Sequence, residues 1–285
     1  MKLAEKYNEV YFAVGIHPYD MEKFDEAVME QYVNHPKCIA IGECGLDYYR
    51  LPEDEIEKKE NIKRQKEVFI AQIEFAKKVK KPLIVHIRDA SNDSRQILMD
   101  HNAKEVGGVL HCYNASEHLL PLAEHNFYFG IGGVLTFKNA KKLVEILPKI
   151  PKDKLLIETD APYLTPHPHR GERNEPYYTL FISQKISELL EISDEEADAV
   201  TIAILLHDIG HGPFSHVLEN TVVQGVPHEE ISLLLMKELN RQFEGKLELS
   251  ISIFTDQYAR HFLHQLVSSQ LDMDRLDYLS RDSFF

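Results

Sequence analysis

Short apolar runs alternate with amphipathic helical segments through the first two-thirds of the chain, and this alternation limits the possible folds more than any other feature. Each run is continuously apolar, which is typical of strands in a parallel sheet that is buried on both faces. Repeated βα units of this kind predict a (β/α) barrel or an open doubly wound sheet. The clearest helix, at about 60–80, places Phe69, Ile73 and Ala76 on one face. The predicted strands are 10–16, 38–42, 83–85, 109–110, 127–131 and 155–158.

The last third of the chain has a different pattern, in which helical segments follow one another without strands. Ser193 stands directly before one of these segments and is a favourable residue for capping a helix N-terminus. The sequence therefore predicts a barrel-type α/β domain at residues 1–193 and an all-α domain at residues 194–285. The predicted helices of the second domain and its approach are 178–190, 194–206, 228–239, 258–268 and 272–280.

Acidic residues and histidines stand where the predicted strands end. Glu43, His86 and His111 each follow a strand directly, and Asp160 follows the last strand closely. His17 follows the first strand and is a candidate for contact with substrate. Because the carboxyl ends of parallel strands share one face, we expect these side chains to converge. Two imidazoles and two carboxylates suit a divalent cation, and Asp160 could orient or deprotonate a water. For any single histidine, a hydrogen-bonded wall residue is the alternative interpretation.

The charge balance restricts how phosphate groups can bind. A formal net charge of −14 excludes a broad basic surface for long nucleic acid. Bound cations and local arginines would have to offset the repulsion, which favours a small substrate or a chain end. Arg88, Arg170 and Arg173 carry the planar group that binds phosphate oxygens, although each also suits a solvated loop. Tyr48 and Tyr49 could stack on bases or simply cover the end of the sheet.

Nothing in the sequence predicts a membrane protein. No apolar run approaches the roughly 20 residues that span a bilayer, and the first ten residues lack the apolar core of a signal peptide. Three unevenly spaced cysteines do not predict a disulfide framework. We therefore expect a cytoplasmic protein.

Six segments resemble the TatD family of metal-dependent deoxyribonucleases over about residues 3–193. They read VGIHPYD, IGECGLDYY, PLIVHIRDA, GVLHCYN, FYFGIGGVLTFKNA and LLIETDAPYLTPHPHRGERNEP. The resemblance implies a TIM-barrel, amidohydrolase-like fold with a two-metal site. Glu43 would bridge the metals, His86 and His111 would complete one position, and Asp160 would bind the other and help activate water.

One part of the family pattern is not found. The family opens with a strand that carries an H-x-H pair, which supplies two histidines to the metal on the Asp160 side. This sequence begins in the helix before the family's third strand, so we expect a partial barrel with six of eight βα units. One metal position would then keep its ligands while the other loses two.

A second group of candidate ligands lies in the string ILLHDIGHGPFSH. His207 and Asp208 are adjacent at a predicted helix end and can share one metal, and two nearby glycines allow a sharp turn. His211 and His216 follow within reach of an anionic substrate. Three histidines and two glycines within ten residues are poor material for an apolar core, which favours a functional site.

This string resembles the HD-domain phosphohydrolases, particularly those that act on deoxynucleoside triphosphates, over about residues 195–285. The stretches VPHEE and LVSSQLDMDRLDYLSRDSFF resemble the same family. The resemblance implies that Asp274 joins His207 and Asp208 as a metal ligand and that His228 is the general acid. It also places Arg275, Tyr278 and Asp282 at the substrate. Without this resemblance, residues 272–282 would be a solvated acidic helix face.

Both resemblances predict a metal-dependent hydrolase of phosphate esters. The first hypothesis is a TatD-like deoxyribonuclease acting on DNA ends or short single-stranded DNA. The alternatives are an HD-type nucleoside triphosphate phosphohydrolase and a chimeric metal-binding protein with impaired catalysis. The expected cofactors are Mg, Mn or Zn ions.

Overall fold

The computed structural model describes residues 2–8, 10–210 and 228–268. The chain divides after Leu190 into two compact units, which are described separately below. The assignment of residues 1–193 and 194–285 to two functional domains stays a prediction. No helix within the described ranges has the length and apolar character needed to cross a bilayer.

The first unit is built on one sheet of six parallel strands, in which each strand pairs with the next along the chain. This order is the repeated βα arrangement that the sequence predicts, because every return to the sheet adds a strand on the same side. The strands are β1 (Phe12–Val14), β2 (Cys38–Asp47), β3 (Leu83–Arg88), β4 (Gly108–His111), β5 (Phe127–Ile131) and β6 (Leu155–Ile157).

Helices cover the sheet, and the longest shows why they form. It begins at Asp54, whose side chain accepts hydrogen bonds from the N–H groups of the first turn, and it ends at Lys80 in the left-handed conformation. Its residues Phe69, Ile73 and Ala76 are fully buried, which confirms the predicted apolar face. The α-helices are α1 (Lys2–Lys6), α2 (Glu26–Val33), α3 (Glu55–Val79), α4 (Ser91–Asp100), α5 (Lys141–Ile146) and α6 (Thr179–Leu189).

The predicted ends of β2 and β3 lie too early in the sequence, and this difference affects the site. β2 continues past Gly42 to Asp47, and β3 continues to Arg88. The longer strands form because Cys44 and Leu46 are fully buried and pair with β3 beyond a register shift that follows Ile41. Glu43 and His86 therefore lie within their strands, where the sheet holds their backbones.

The second unit is helical in its described part. Its helices are α7 (Asp194–Leu206), α8 (His228–Gln242), α9 (Glu248–Phe254) and α10 (His261–Val267). Ser193 caps α7 as predicted, and Glu196 returns a hydrogen bond to the Ser193 backbone in a capping box. Apolar residues of three helices form the core, among them Ala203, Ile253 and Leu263. Helix α9 was not predicted, and the predicted helix 272–280 lies outside the described residues.

Candidate metal centre

Glu43 lies between two imidazoles at the carboxyl ends of the strands. Its Oε1 atom is 2.8 Å from Nδ1 of His86 and 4.0 Å from Nε2 of His111. Asp160, which follows β6, places Oδ1 3.3 Å from the same Nε2 of His111. The structure thus brings together the four side chains that we expected to converge, although they come from four different strands or strand ends.

His17, which we predicted to contact substrate, belongs to the same cluster. Its ring centroid is 4.5 Å from that of His86. One possible ligand atom from each of His17, Glu43 and His86 lies within 4.8 Å of the others. This mixed set of imidazole nitrogens and a carboxylate oxygen fits a divalent cation.

A carboxylate stands behind each of the two central histidines: Asp47 is buried and Glu158 is partly buried. Asp47 Oδ2 is 2.9 Å from Nε2 of His86, and Glu158 Oε2 is 2.8 Å from Nδ1 of His111. Each imidazole therefore holds a carboxylate with one nitrogen and presents the other nitrogen to Glu43. Metal-binding histidines commonly have such a partner, because it fixes the orientation of the ring.

The sequence analysis missed both of these carboxylates. Asp47 is four residues after Glu43, and a period of two along an extended strand places both residues on one face. Reading β2 through to residue 47 would therefore have found it. Glu158 is two residues before Asp160, and its Oε1 accepts a hydrogen bond of 2.6 Å from the backbone N–H of Cys112.

The close packing of acids and imidazoles shifts their protonation. Burial lowers the pKa of His111, but hydrogen bonds with Asp160 and Glu158 outweigh this effect and raise its pKa to about 10. Burial also lowers the pKa of His86, but its hydrogen bonds with Glu43 and Asp47 and their negative charges outweigh burial and raise the pKa. Burial raises the pKa of Glu43, but the bond with His86 and the charges of the three surrounding imidazoles together outweigh burial and lower it. Burial and the neighbouring His86 lower the pKa of His17.

A cleft of about 590 Å³ opens over the cluster, and its wall includes Arg88, Cys112 and Tyr163. Arg88 is thus one of the predicted phosphate ligands that the structure places beside the cluster. Arg170 donates to the Thr165 carbonyl at 3.2 Å. Arg173 pairs with Glu175 at 3.7 Å.

The sequence model of TatD-related DNases matches residues 1–206. The chain belongs to this family. The predicted family resemblance is thereby confirmed, and the chain is a metal-dependent hydrolase of the TatD type.

Individual relatives agree with this assignment. The uncharacterized metal-dependent hydrolase YabD of Bacillus subtilis is 44% identical over 207 residues, which are 70% of this chain and 78% of YabD. A protein of Escherichia coli named 3'-5' ssDNA/RNA exonuclease TatD is 37% identical over 199 residues, covering 65% of this chain and 72% of its own. The crystal structure of the TatD homologue YjjV from Escherichia coli superposes with a TM-score of 0.58 at 24% identity, covering 86% of this chain and 79% of YjjV. This likeness confirms the predicted TatD-like barrel fold.

The model of the HD domain matches residues 175–282, so it overlaps the TatD match at residues 175–206. Within the range of the HD match, Asp208 Oδ1 lies 3.4 Å from Nε2 of His207 and 3.9 Å from Nε2 of His228. The predicted dyad and the predicted general acid are therefore neighbours. The other predicted residues of this site lie outside the described residues: His211, His216, Asp274, Arg275, Tyr278 and Asp282.

Proposed function

We propose that this chain is a nuclease that hydrolyses phosphodiester bonds near the ends of single-stranded nucleic acid. The observation that carries the proposal is the position of Glu43 between His86 and His111, each of which is backed by its own carboxylate. The TatD relative whose name specifies single-stranded DNA and RNA supports the choice of substrate.

Each side chain of the cluster has a proposed role. His17, Glu43 and His86 would hold a divalent cation, and Glu43 would extend to a second position next to His111 and Asp160. A bound cation there would polarise a phosphoryl oxygen and make a nearby water more acidic. Asp160 would orient that water and accept its proton, because its Oδ1 lies 3.3 Å from Nε2 of His111 at the edge of the cluster.

The net charge agrees with a short substrate rather than a long duplex. With a net charge of −14, the chain as a whole repels an extended polyanion. The cleft therefore has to attract phosphate locally, through the cation and through Arg88 at the wall. A free chain end presents few phosphates beyond the cleft, so the repulsion stays small.

The direct test is cleavage of a 5'-labelled single-stranded DNA oligonucleotide, with an RNA of the same sequence in parallel. The protein is first treated with a chelator and then given Mg²⁺, Mn²⁺ or Zn²⁺ separately. We expect cleavage that needs one of these cations and is at least about a thousandfold slower in Glu43→Gln, a loss of roughly 4 kcal/mol in transition-state stabilisation. Asp100→Asn, an exposed acid bonded to Gln96, is the matched control. Full activity in Glu43→Gln would refute the proposal.

A second activity is favoured by the neighbouring His207, Asp208 and His228, together with the HD match. We propose hydrolysis of deoxynucleoside triphosphates at that place. Phosphate or triphosphate release should be lost in Asp208→Ala and retained in Glu43→Gln, which separates the two sites. Loss in both variants, or in neither, would contradict two independent activities.

The overlap of the two family matches at residues 175–206 also supports a proposal about origin. We propose that a TatD-type segment and an HD-type segment are joined there as a chimera. One continuous sequencing read of source DNA across codons 185 to 210 tests this proposal, because separate genes in the source would show an artificial junction. Bound metal without either activity would support the remaining alternative, a metal-binding protein that does not turn over.

A further inference from the structure

Two arginines stand over two exposed tyrosines near the metal cluster, and one of the arginines, Arg88, also lines the cleft. The Arg88 guanidinium carbon is 3.6 Å from the centroid of the Tyr49 ring, and that of Arg50 is 5.9 Å from the Tyr19 ring. The tyrosines are 56% and 43% exposed, respectively. We name these four residues the arginine–tyrosine rim.

The rim is continuous with the metal cluster. The Tyr19 ring centroid is 5.0 Å from that of His17, and burial together with the nearby Asp47 carboxylate raises the pKa of Tyr19. Both rim arginines lie close enough to Tyr19 for their positive charges to act on its pKa, which they lower in opposition to burial and Asp47. Arg88 stands two residues after His86 on β3 and lines the cleft. The arginine–tyrosine rim is therefore in contact with the metal cluster through Tyr19 and with the cleft through Arg88.

The positive charge of the rim is available to a ligand. Several other arginines are neutralised by acids, as in the pairs of Arg64 with Glu67 and of Arg241 with Glu238. Across residues 2–8, 10–210 and 228–268, neither Arg50 nor Arg88 forms an ion pair with a carboxylate. In a chain of net charge −14, two guanidinium groups without a carboxylate partner near the metal cluster are a local site for anions.

We propose that the arginine–tyrosine rim binds the unpaired strand of the substrate next to the bond that is cut. The guanidinium groups bind its phosphates, and the tyrosine and guanidinium planes stack on its bases. A single strand fits better than a duplex, because only unpaired bases expose faces on which these planes can stack. Such stacking accepts every base, so the rim selects strandedness rather than sequence. This inference rests on the proposed nuclease function and names the part of the substrate that the rim holds.

Binding is measured without cleavage, by fluorescence anisotropy of a labelled ten-residue oligothymidylate with the full chain in EDTA. We expect Arg88→Ala and Arg50→Ala each to weaken binding about tenfold. Each substitution should also reduce the slope of log Kd against log salt by about 0.7, the value for one phosphate contact with a single strand. Arg64→Ala removes the same charge from the same unit and should change neither quantity.

Two further measurements separate recognition from folding. Arg88→Lys keeps the charge and loses the planar group, so it should restore the salt slope but not the full affinity. In the presence of a cation, the ratio of kcat/KM for the oligonucleotide to that for bis(p-nitrophenyl) phosphate should fall about tenfold in Arg88→Ala. A merely destabilised protein would lower both values together and leave the ratio unchanged.

The outcomes distinguish this inference from the proposed function. If the wild type binds the oligonucleotide through the rim but no cation allows cleavage, the nuclease proposal fails and the rim stands. If the wild type cleaves while both alanine variants bind like the wild type, the rim proposal is overturned and the nuclease stands. Equal weakening by Arg64→Ala would also overturn it, because the effect would then be one of general charge.

Discussion

Oδ2 of Asp47 lies 2.9 Å from Nε2 of His86, and the Asp47 side chain is almost completely buried. The backbone N–H of Tyr49 donates to the other carboxylate oxygen at 2.9 Å, so the acid itself is held in place. Since Nδ1 of His86 faces Glu43, Asp47 determines which imidazole nitrogen is presented to the cluster. Asp47, which lies outside the candidate ligand group of His17, Glu43 and His86, thereby orients one member of that group.

The first prediction concerns this carboxylate and its counterpart. Asp47→Asn and Glu158→Gln keep the shape of the side chain but remove the charge that orients the imidazole. We expect each to weaken divalent-cation binding by about 10- to 100-fold, the usual effect of losing a partner of a metal-binding histidine. Calorimetric titration of the chelated protein with Mn²⁺ measures it, with Asp100→Asn as the control. Wild-type affinity in both variants would show that these acids do not position the histidines.

The second prediction concerns Gly130, whose backbone lies against the Glu158 carboxylate. A Cβ atom at Gly130 would overlap the Glu158 carboxylate, whereas a Cβ at Gly132 would stay 3.7 Å from that side chain. Gly130→Ala should therefore push the carboxylate away from His111 and reproduce the loss of cation affinity that is expected for Glu158→Gln. Gly132→Ala, the matched control, should bind Mn²⁺ like the wild type. Equal affinities in the two alanine variants would contradict this steric account.

The fold was largely predictable, because its signal is local. Continuous apolar runs and the face of α3 formed by Phe69 and Ile73 follow directly from the periodicity of the sequence. The ends of β2 and β3 were not predictable in this way. Residues 43–47 mix polar and apolar types, and they extend the strand only because Cys44 and Leu46 find burial against β3. That burial depends on pairing between segments about 40 residues apart.

Some residues of the candidate site were likewise predictable from the sequence, and others were not. Glu43, His86 and His111 were identifiable because each follows an apolar run in the sequence. The placement of His17 beside His86 and of Asp47 behind it depends on the register between strands. Register depends on tertiary structure. The three residues at the centre of the cluster were therefore easier to identify than the residues that pack around them and orient them.

The third prediction is a pH dependence of cation binding. Hydrogen bonds with Asp160 and Glu158 outweigh burial and raise the pKa of His111 to about 10, so its ring is protonated at neutral pH without a cation. The protonated ring contributes stability that is present below pH 6.5 and is lost as the pH rises towards about 10. A cation has to displace this proton, so Mn²⁺ affinity should rise roughly tenfold per pH unit between about pH 6.5 and 8.5.

Calorimetry at fixed pH in buffers of different ionisation enthalpy counts the released protons directly. Asp93→Asn, which removes an acid bonded to Tyr48 and Lys66, should leave the pH dependence unchanged. An affinity that is flat across this range would show that His111 enters the cation complex without losing a proton.

The fourth prediction concerns the stability of the second unit, where Glu196 joins a helix cap to a distant side chain. The Ser193 Oγ accepts from the Glu196 N–H at 3.2 Å, and Glu196 Oε2 accepts from the Ser193 N–H at 2.9 Å. Ser193→Ala should lower the free energy of unfolding by about 1 kcal/mol, the typical effect of losing such a cap. Thr201→Ala, at an exposed position of the same helix, is the control in urea unfolding.

Glu196 also makes this stability depend on pH. The Tyr258 hydroxyl donates to its Oε1 at 2.8 Å, and Arg260 lies 3.1 Å from the same atom. Burial raises the pKa of Glu196, but these contacts and the Ser193 bonds outweigh burial and lower its pKa below 4.5. The ionised Glu196 carboxylate therefore stabilises the folded state above about pH 4.5, and this stabilisation is lost as the pH falls through the lowered pKa. Glu196→Gln should therefore flatten the acid side of the stability curve, measured as urea midpoints between about pH 3 and 6. An unchanged slope would mean that other acids carry the transition.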